Sequence, residues 1–257
     1  MRVISLGWGV QSFTLAAMAA LGEIEPVDYA VFADTRHESV LTYGFAIRNM
    51  GWLKQNGVNF QMVRPLRSQV VIYRENGIGE VYIPAFTESD SASGGMLRRQ
   101  CTQRWKVAPI RRFIQSQRNG QPVEMLLGIS TDEWQRMRDS DVKYITNSYP
   151  LIDKKMSRLD CMRWLDEHGL EIPPKSACYF CPFHTTKEWN RIKQTSDWEN
   201  AVKIDQMIRY ARPGITLQLR LYLHASRQPI NEVDFRSAEE KGQMPLWDNE
   251  CSGVCGV

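Results

Sequence analysis

The chain has 257 residues, of which 43% are hydrophobic and 24% charged, with 17 glycines and 12 prolines. That balance excludes a disordered, collagen-like or coiled-coil protein, and the length suits one large domain, with or without a small appendage. The net charge of +3 does not demand a nucleic-acid partner, nor does it exclude one. No apolar run reaches the roughly 18 residues of a membrane span, and the start, MRVISLGWGV, lacks a long apolar signal core. A cytoplasmic protein with no membrane partner is expected. Six cysteines in that setting point to metal ligands, redox groups or core residues before structural disulfides.

Val3 to Leu6 reads as a short buried strand, followed by the turn Gly7-Trp8-Gly9 and a small-residue helix that Ser12 opens and that runs to about Leu21. A second strand, Tyr29 to Phe32, ends at Ala33-Asp34-Thr35. Ser39 to Gln55 is helical, and Asn59 to Val63 is a third strand. Residues 84–100, rich in Ser and Gly, read as a loop over the site or a plain surface insertion. Val123 to Leu127 forms a further strand, closed by Gly128, and Met156 to His168 an amphipathic helix. Pro173-Pro174 breaks the pattern before Cys178-Tyr-Phe-Cys181-Pro182, and polar helices follow at 185–195 and 196–211. Strands alternating with helices predict an α/β fold, a Rossmann-like parallel sheet flanked by helices, with a smaller and mostly helical C-terminal part. The expected division is a nucleotide-binding domain over 1–170 and a cysteine-containing helical region and tail over 171–257.

A strand, then Gly7-Trp8-Gly9-Val10-Gln11-Ser12, then a helix is an arrangement that binds phosphate, because glycines admit the anion and the helix start offers N–H groups. A tight turn capped by Ser12 accounts for the same residues. The spacing fits neither the dinucleotide fingerprint nor the Walker loop.

In context the loop resembles the PP-loop of the N-type ATP pyrophosphatases, usually SGGxDS. Gly9 and Ser12 match it, while Gly7, Trp8 and Gln11 stand where a Ser, a Gly and an Asp are usual. Four more stretches follow in family order: Asp34-Thr35 with Glu38, Cys101 with Lys106 and Pro109, Gly128 with Asp132, Glu133 and Arg136, and Tyr149-Pro150-Leu151 leading to His168-Gly169. Together they resemble the adenine nucleotide α-hydrolase superfamily, above all the phosphoadenylyl-sulfate (PAPS) reductases and the DndC-type DNA phosphorothioation proteins. Ser130 stands where an arginine is usual.

The resemblance implies a HUP-type fold that binds ATP or a related adenine nucleotide with Mg2+. The binding residues would be Ser5, Gly7, Trp8, Gly9, Val10, Gln11, Ser12, Asp34, Thr35, Gly128, Asp132, Glu133 and Arg136. It implies ATP-dependent sulfur transfer with pyrophosphate release, with Lys106 on the phosphates and a nucleic acid as a candidate acceptor. A sulfur donor such as a cysteine desulfurase would supply the sulfur. A [4Fe–4S] cluster on Cys101, Cys178 and Cys181 would handle it, with Cys161, Cys251 or Cys255 as candidates for the fourth ligand. Core burial is the alternative for Cys161. The tail cysteines Cys251 and Cys255 could instead attack sulfur, as in a sulfonucleotide reductase. A third reading is a nucleotide-binding protein without catalysis, in which Cys178 and Cys181, with or without His184, hold a structural Zn2+. Residues 98–112 carry Arg98, Arg99, Arg104, Lys106, Arg111 and Arg112 without an acid, which reads as a solvated basic face or a polyanion track. Trp105 and Trp134 could stack on a base or fill a core.

Overall fold

The computed structural model describes residues 1–75, 77–88, 95–209, 211 and 220–236. In chain order its strands are β1 (Arg2–Ser5), β2 (Tyr29–Ala33), β3 (Phe60–Val63), β4 (Val71–Tyr73), β5 (Gly79–Val81), β6 (Phe86–Thr87), β7 (Val123–Leu127), β8 (Ile145–Ser148) and β9 (Leu221–Tyr222). The helices are α1 (Val10–Ala20), α2 (Val40–Gln55), α3 (Ala108–Gln117), α4 (Pro150–Asp153), α5 (Arg158–Glu167), α6 (Thr186–Lys193) and α7 (Asp197–Arg209). A π-helical turn spans Thr102–Val107, and short 3-10 turns lie at Thr131–Arg136 and Ile230–Glu232.

Two compact units share these elements. The first comprises Met1–Arg67 and Gln103–Ala177, and the second takes Ser68–Thr102 with the described residues from Cys178 onward. Residues 68–102 thus leave the first unit, and the chain returns to it at Gln103. Part of that excursion, 84–100, is not merely a loop. β6 pairs antiparallel with β9, Phe86 bridges Met96, and the Thr87 N–H donates to the Gly95 carbonyl at 2.9 Å. The second unit joins α6 and α7 to two small antiparallel sheets, β4-β5 and β6-β9; of these strands β9 alone lies in the C-terminal part, whose described elements are mostly helical, as expected.

The first unit is an α/β Rossmann-like fold. Its five-stranded sheet runs β3-β2-β1-β7-β8, and every pairing is parallel. The strands alternate their side chains between two cores, as a period of two requires. Ile4, Ala30, Phe32 and Leu126 belong to a cluster with Phe13, Leu15, Ala16 and Ala17 of α1, Phe45 and Leu53 of α2, and Leu165 of α5. Val3, Val31, Ala33, Val123, Met125 and Ile145 form a second cluster with Ile110 and Ile114 of α3. Helices thus cover both faces, which explains why the strands read as continuous apolar runs. Among the described residues, no helix is long and apolar enough to cross a membrane.

Chain direction reverses its spread between β1 and β7: β2 and β3 lie to one side, β7 and β8 to the other. Open parallel sheets bind ligands beyond the strand C-termini at such a point. The loops that meet there are Gly7–Gly9 after β1 and Gly128 after β7. A Cβ on Gly128 would lie 2.6 Å from the Ser12 nitrogen and 2.8 Å from its Cα. Only a glycine lets the first turn of α1 sit against β7. Gly128→Ala is expected to destabilise the protein by about 1–3 kcal/mol through this backbone clash, read as a melting temperature lowered by several degrees; an unchanged melting temperature would show that the turn is free to move.

Candidate functional site

α1 begins at Val10 with Gly9 as its N-cap, two residues earlier than Ser12 suggests. Ser12 therefore does not cap the helix from outside; it folds back from within the first turn. Its hydroxyl accepts from the Gly7 N–H at 3.1 Å and donates to the Gly9 carbonyl at 3.2 Å. Among the described residues, the N–H groups of Trp8, Gly9, Val10, Gln11 and Ser12 have no hydrogen-bond acceptor. They form a run of donors at the positive end of a helix dipole.

Trp8 holds the loop from below. Its φ of 58° is left-handed, a costly state for a bulky residue, about 1–2 kcal/mol. Its indole is 0% exposed and packs on Phe13, Phe32, Phe45 and Phe60 with ring centroids 5.5–6.4 Å away. Its side chain belongs to the core, as does that of Val10, so only their backbone is available to a ligand. Ser5 ends β1 and pairs in register with Val31 and Leu127.

A polar network closes one flank of the loop. The buried Gln11 amide donates to Ser130 Oγ at 3.2 Å and to Glu133 Oε2 at 3.4 Å, and Gln11 Oε1 accepts from Arg158 Nη1 at 3.3 Å. Glu133 also accepts from Arg136 at 2.6 Å. Asp132 accepts from the Arg158 backbone N–H at 2.8 Å. Burial would raise its carboxyl, but hydrogen bonds from Ser130 and from the Arg158 backbone outweigh it and hold the pKa below the ordinary range. Sequence reasoning missed Arg158, which opens α5 far along the chain.

On the other flank, Asp34 is buried and accepts from Tyr43 at 2.6 Å, from Arg64 at 2.9 Å and from the Arg36 N–H at 2.8 Å. Desolvation pushes its pKa up, and these three donors more than reverse that, leaving it lowered. Tyr43, desolvated beside that carboxylate, is pushed up. Thr35 is buried, and its hydroxyl accepts from the His37 N–H. Lys106 donates to Glu38 at 2.8 Å, and the Glu38 side chain is fully buried. Trp105 is buried beside His37, whereas Trp134 is 66% exposed. Several of the basic groups in 98–112 have partners in the protein, among them Lys106 on Glu38, Arg111 on Asp141 and Arg99 over Phe183. The segment is not a uniformly solvated face.

The metal assignments fit less well. Among the described residues, no three of His, Cys, Asp and Glu are grouped to hold an ion. Asp34, Asp132 and Glu133, the carboxylates among the expected nucleotide-binding residues and so the candidates to hold Mg2+, already take donors from Arg64, Arg158 and Arg136. Cys178 and Cys181 share one tight turn, with the Cys181 N–H on the Cys178 carbonyl at 3.0 Å. His184 does not join their sulfurs; its Nε2 lies 2.9 Å from the Cys178 carbonyl oxygen and its Nδ1 3.6 Å from Glu188. Cys101 is half-buried, and among the described residues none of these thiols belongs to a group of three metal-binding side chains. Cys161 sits in the aliphatic core of the first unit, where burial pushes its thiol up to about 12, opposite to what ligation needs. Cys251 and Cys255 lie outside the described residues.

No family model and no curated protein matches the chain. Among solved structures it is similar to a phosphoadenylyl-sulfate (PAPS) reductase from Candida auris, a phosphate complex, at 14% identity and a TM-score of 0.45. The match covers 67% of this chain and 74% of that one.

Two measurements follow from these environments. Cys161 is expected to resist iodoacetamide at pH 8 in the folded protein and to react once denatured, as read by peptide mass spectrometry; rapid labelling of the folded state would contradict its burial. For Asp34, the folded pKa lies below the unfolded value of about 3.9, so its contribution to stability is complete above that pH and is lost as the pH falls through the folded pKa. Asp34→Asn should lower the melting temperature at pH 7, and the gap from the unmodified protein should shrink below about pH 4.

Proposed function

We propose that this chain binds an adenine nucleotide through its phosphates at Gly7–Ser12 and acts on the bond next to the nucleotide's α-phosphate. The observation that carries the reading is the run of unpaired N–H groups from Trp8 to Ser12, pre-oriented at the switch point of the sheet. Such donors cost no reorganisation when an anion arrives. The five motif stretches in family order support the adenine nucleotide. Arg158 meets the loop directly at Gln11 and Arg136 meets it through Glu133, while Lys106 lies on Glu38. All three begin tied to the protein, so phosphate charge would compete with Gln11, Glu133 and Glu38 for them.

Sulfur chemistry is the second part of the proposal. In it, an acceptor oxygen attacks the α-phosphorus of ATP, pyrophosphate leaves, and a sulfur nucleophile then displaces AMP from the activated acceptor. The paired thiols of Cys178 and Cys181 suit this role: one, loaded as a persulfide by a sulfur donor, would bond its outer sulfur to the acceptor as AMP leaves. The other would then attack the inner sulfur, releasing the thiolated acceptor and leaving a Cys178–Cys181 disulfide for an external dithiol to reduce. One observation favours a different reaction. The three carboxylates that would hold Mg2+ are already satisfied, which suits a sulfonucleotide substrate whose chemistry needs no pyrophosphate departure.

Calorimetric titration with ATP and with PAPS, paired with a pyrophosphate-release assay, separates these. Binding of either, weakened at least tenfold by Ser12→Ala, supports the phosphate loop, a loss of about 1.4 kcal/mol. Release of pyrophosphate supports activation by ATP, and PAPS binding without it supports the sulfonucleotide reading. A protein that binds neither, or a Ser12→Ala variant that binds as well as the unmodified protein, overturns the assignment.

A further inference from the structure

The segment just after Pro173-Pro174 carries a residue that no motif singles out. Ser176 Oγ donates to the Gly7 carbonyl, a shorter contact than its 3.5 Å separation from Glu38 Oε2. A hydroxyl has one proton, and the closer carbonyl takes it. The next residue is tied as well: the Ala177 carbonyl accepts from the Ser39 N–H at 3.1 Å, and Ser39 is the N-cap of α2. Residues 176 and 177 thus clasp the starts of α1 and α2 within the first unit. Ser176 also stands between the loop and the Glu38–Lys106 ion pair.

We infer that Ser176 is a positioning residue for phosphate recognition, setting the orientation of the Gly7–Trp8 peptide. In a planar trans peptide the carbonyl and the following N–H point in opposite directions. Holding the Gly7 carbonyl on Ser176 therefore aims the Trp8 N–H away from the strap, as the first donor of the unpaired run. Ser12 fixes the preceding peptide through the Gly7 N–H, and the buried indole fixes the following Cα. The Gly7–Trp8 peptide has no other hydrogen bond among the described residues to hold it, and without one it can turn over and present a carbonyl oxygen to an anion. One site would then gain a repulsive dipole as it loses a donor. The approach is close, since a Cβ on Gly9 would meet the Ser176 Cβ at 3.5 Å. This inference rests on the nucleotide-binding reading above.

The test compares ATP with adenosine on the full chain. Ser176→Ala is expected to weaken ATP at least fivefold and to leave adenosine within twofold, because a nucleoside brings no phosphate to the loop. Ser176→Cys, which keeps a weaker donor, should fall between Ser176→Ala and the unmodified protein and serves if the alanine variant does not fold. Equal ATP affinity in the unmodified protein and both variants overturns the positioning role. Parallel loss of ATP and adenosine also overturns it, since that pattern marks a general structural defect. An unmodified protein that binds neither ligand instead overturns the nucleotide-binding reading.

Discussion

The first turn of α1 lies against the chain at Gly128 with no room for one added carbon, and the geometry of the site follows from that contact. β7 delivers Gly128 to the place where β1 hands over to α1, and the glycine lets backbone meet backbone. Once α1 is seated so low, its N-terminal N–H groups open beyond the edge of the sheet. The turn that feeds it must be sharp enough to force Trp8 into a left-handed conformation. Burial of the indole among four phenylalanines offsets that strain, because a fully buried aromatic side chain contributes several times its cost. A strained loop persists when its surroundings over-determine it, and here they do so from below through Trp8 and from the sides through Ser12 and Ser176.

Around this loop the ionic groups cancel in pairs: Lys106 with Glu38, Arg64 with Asp34, Arg136 with Glu133. A buried carboxylate such as Glu38 is tolerable only with a partner, and removing Lys106 would leave a desolvated charge behind. Among the described residues of the loop, the donors with no acceptor belong to the backbone, and Arg158, held by the neutral Gln11, is the neighbouring cation not cancelled in these pairs. Backbone N–H groups impose geometry more than they supply charge, so the loop would select for the shape and placement of a phosphate.

Much of the first unit was legible in the sequence. Short apolar runs at 29–32 and 123–127, each closed by a turn, became central parallel strands because both faces of the sheet are covered. Ser39 caps α2 as its position suggests. The second unit was not legible, because β4, β5, β6 and β9 are only two or three residues long, too short for a periodic signal, and β6 pairs with β9 across a wide sequence gap. For Trp8 the turn was legible but the fate of its side chain was not: the residue adopts a left-handed φ and its indole lies in the core, so it would meet a ligand by its backbone alone. Ser176 and Arg158 carried no local signal at all. Each is an ordinary polar residue whose meaning comes from a partner more than 140 positions away.

Gln11 suits its surroundings in a way that an aspartate would not. Its amide donates toward Ser130 and Glu133 and accepts from Arg158, and a carboxylate could meet only the last of these. An aspartate there would face Glu133 at close range and offer Ser130 no proton. The neutral side chain, with both a donor and an acceptor end, joins an acid on one side to a guanidinium on the other. Ser130 completes the chain by accepting from Gln11 and donating to Asp132. Replacing either residue alone would strand a buried polar group, so positions 11 and 130 are constrained together, and a negative charge at one is compatible with the fold only if the other supplies a cation.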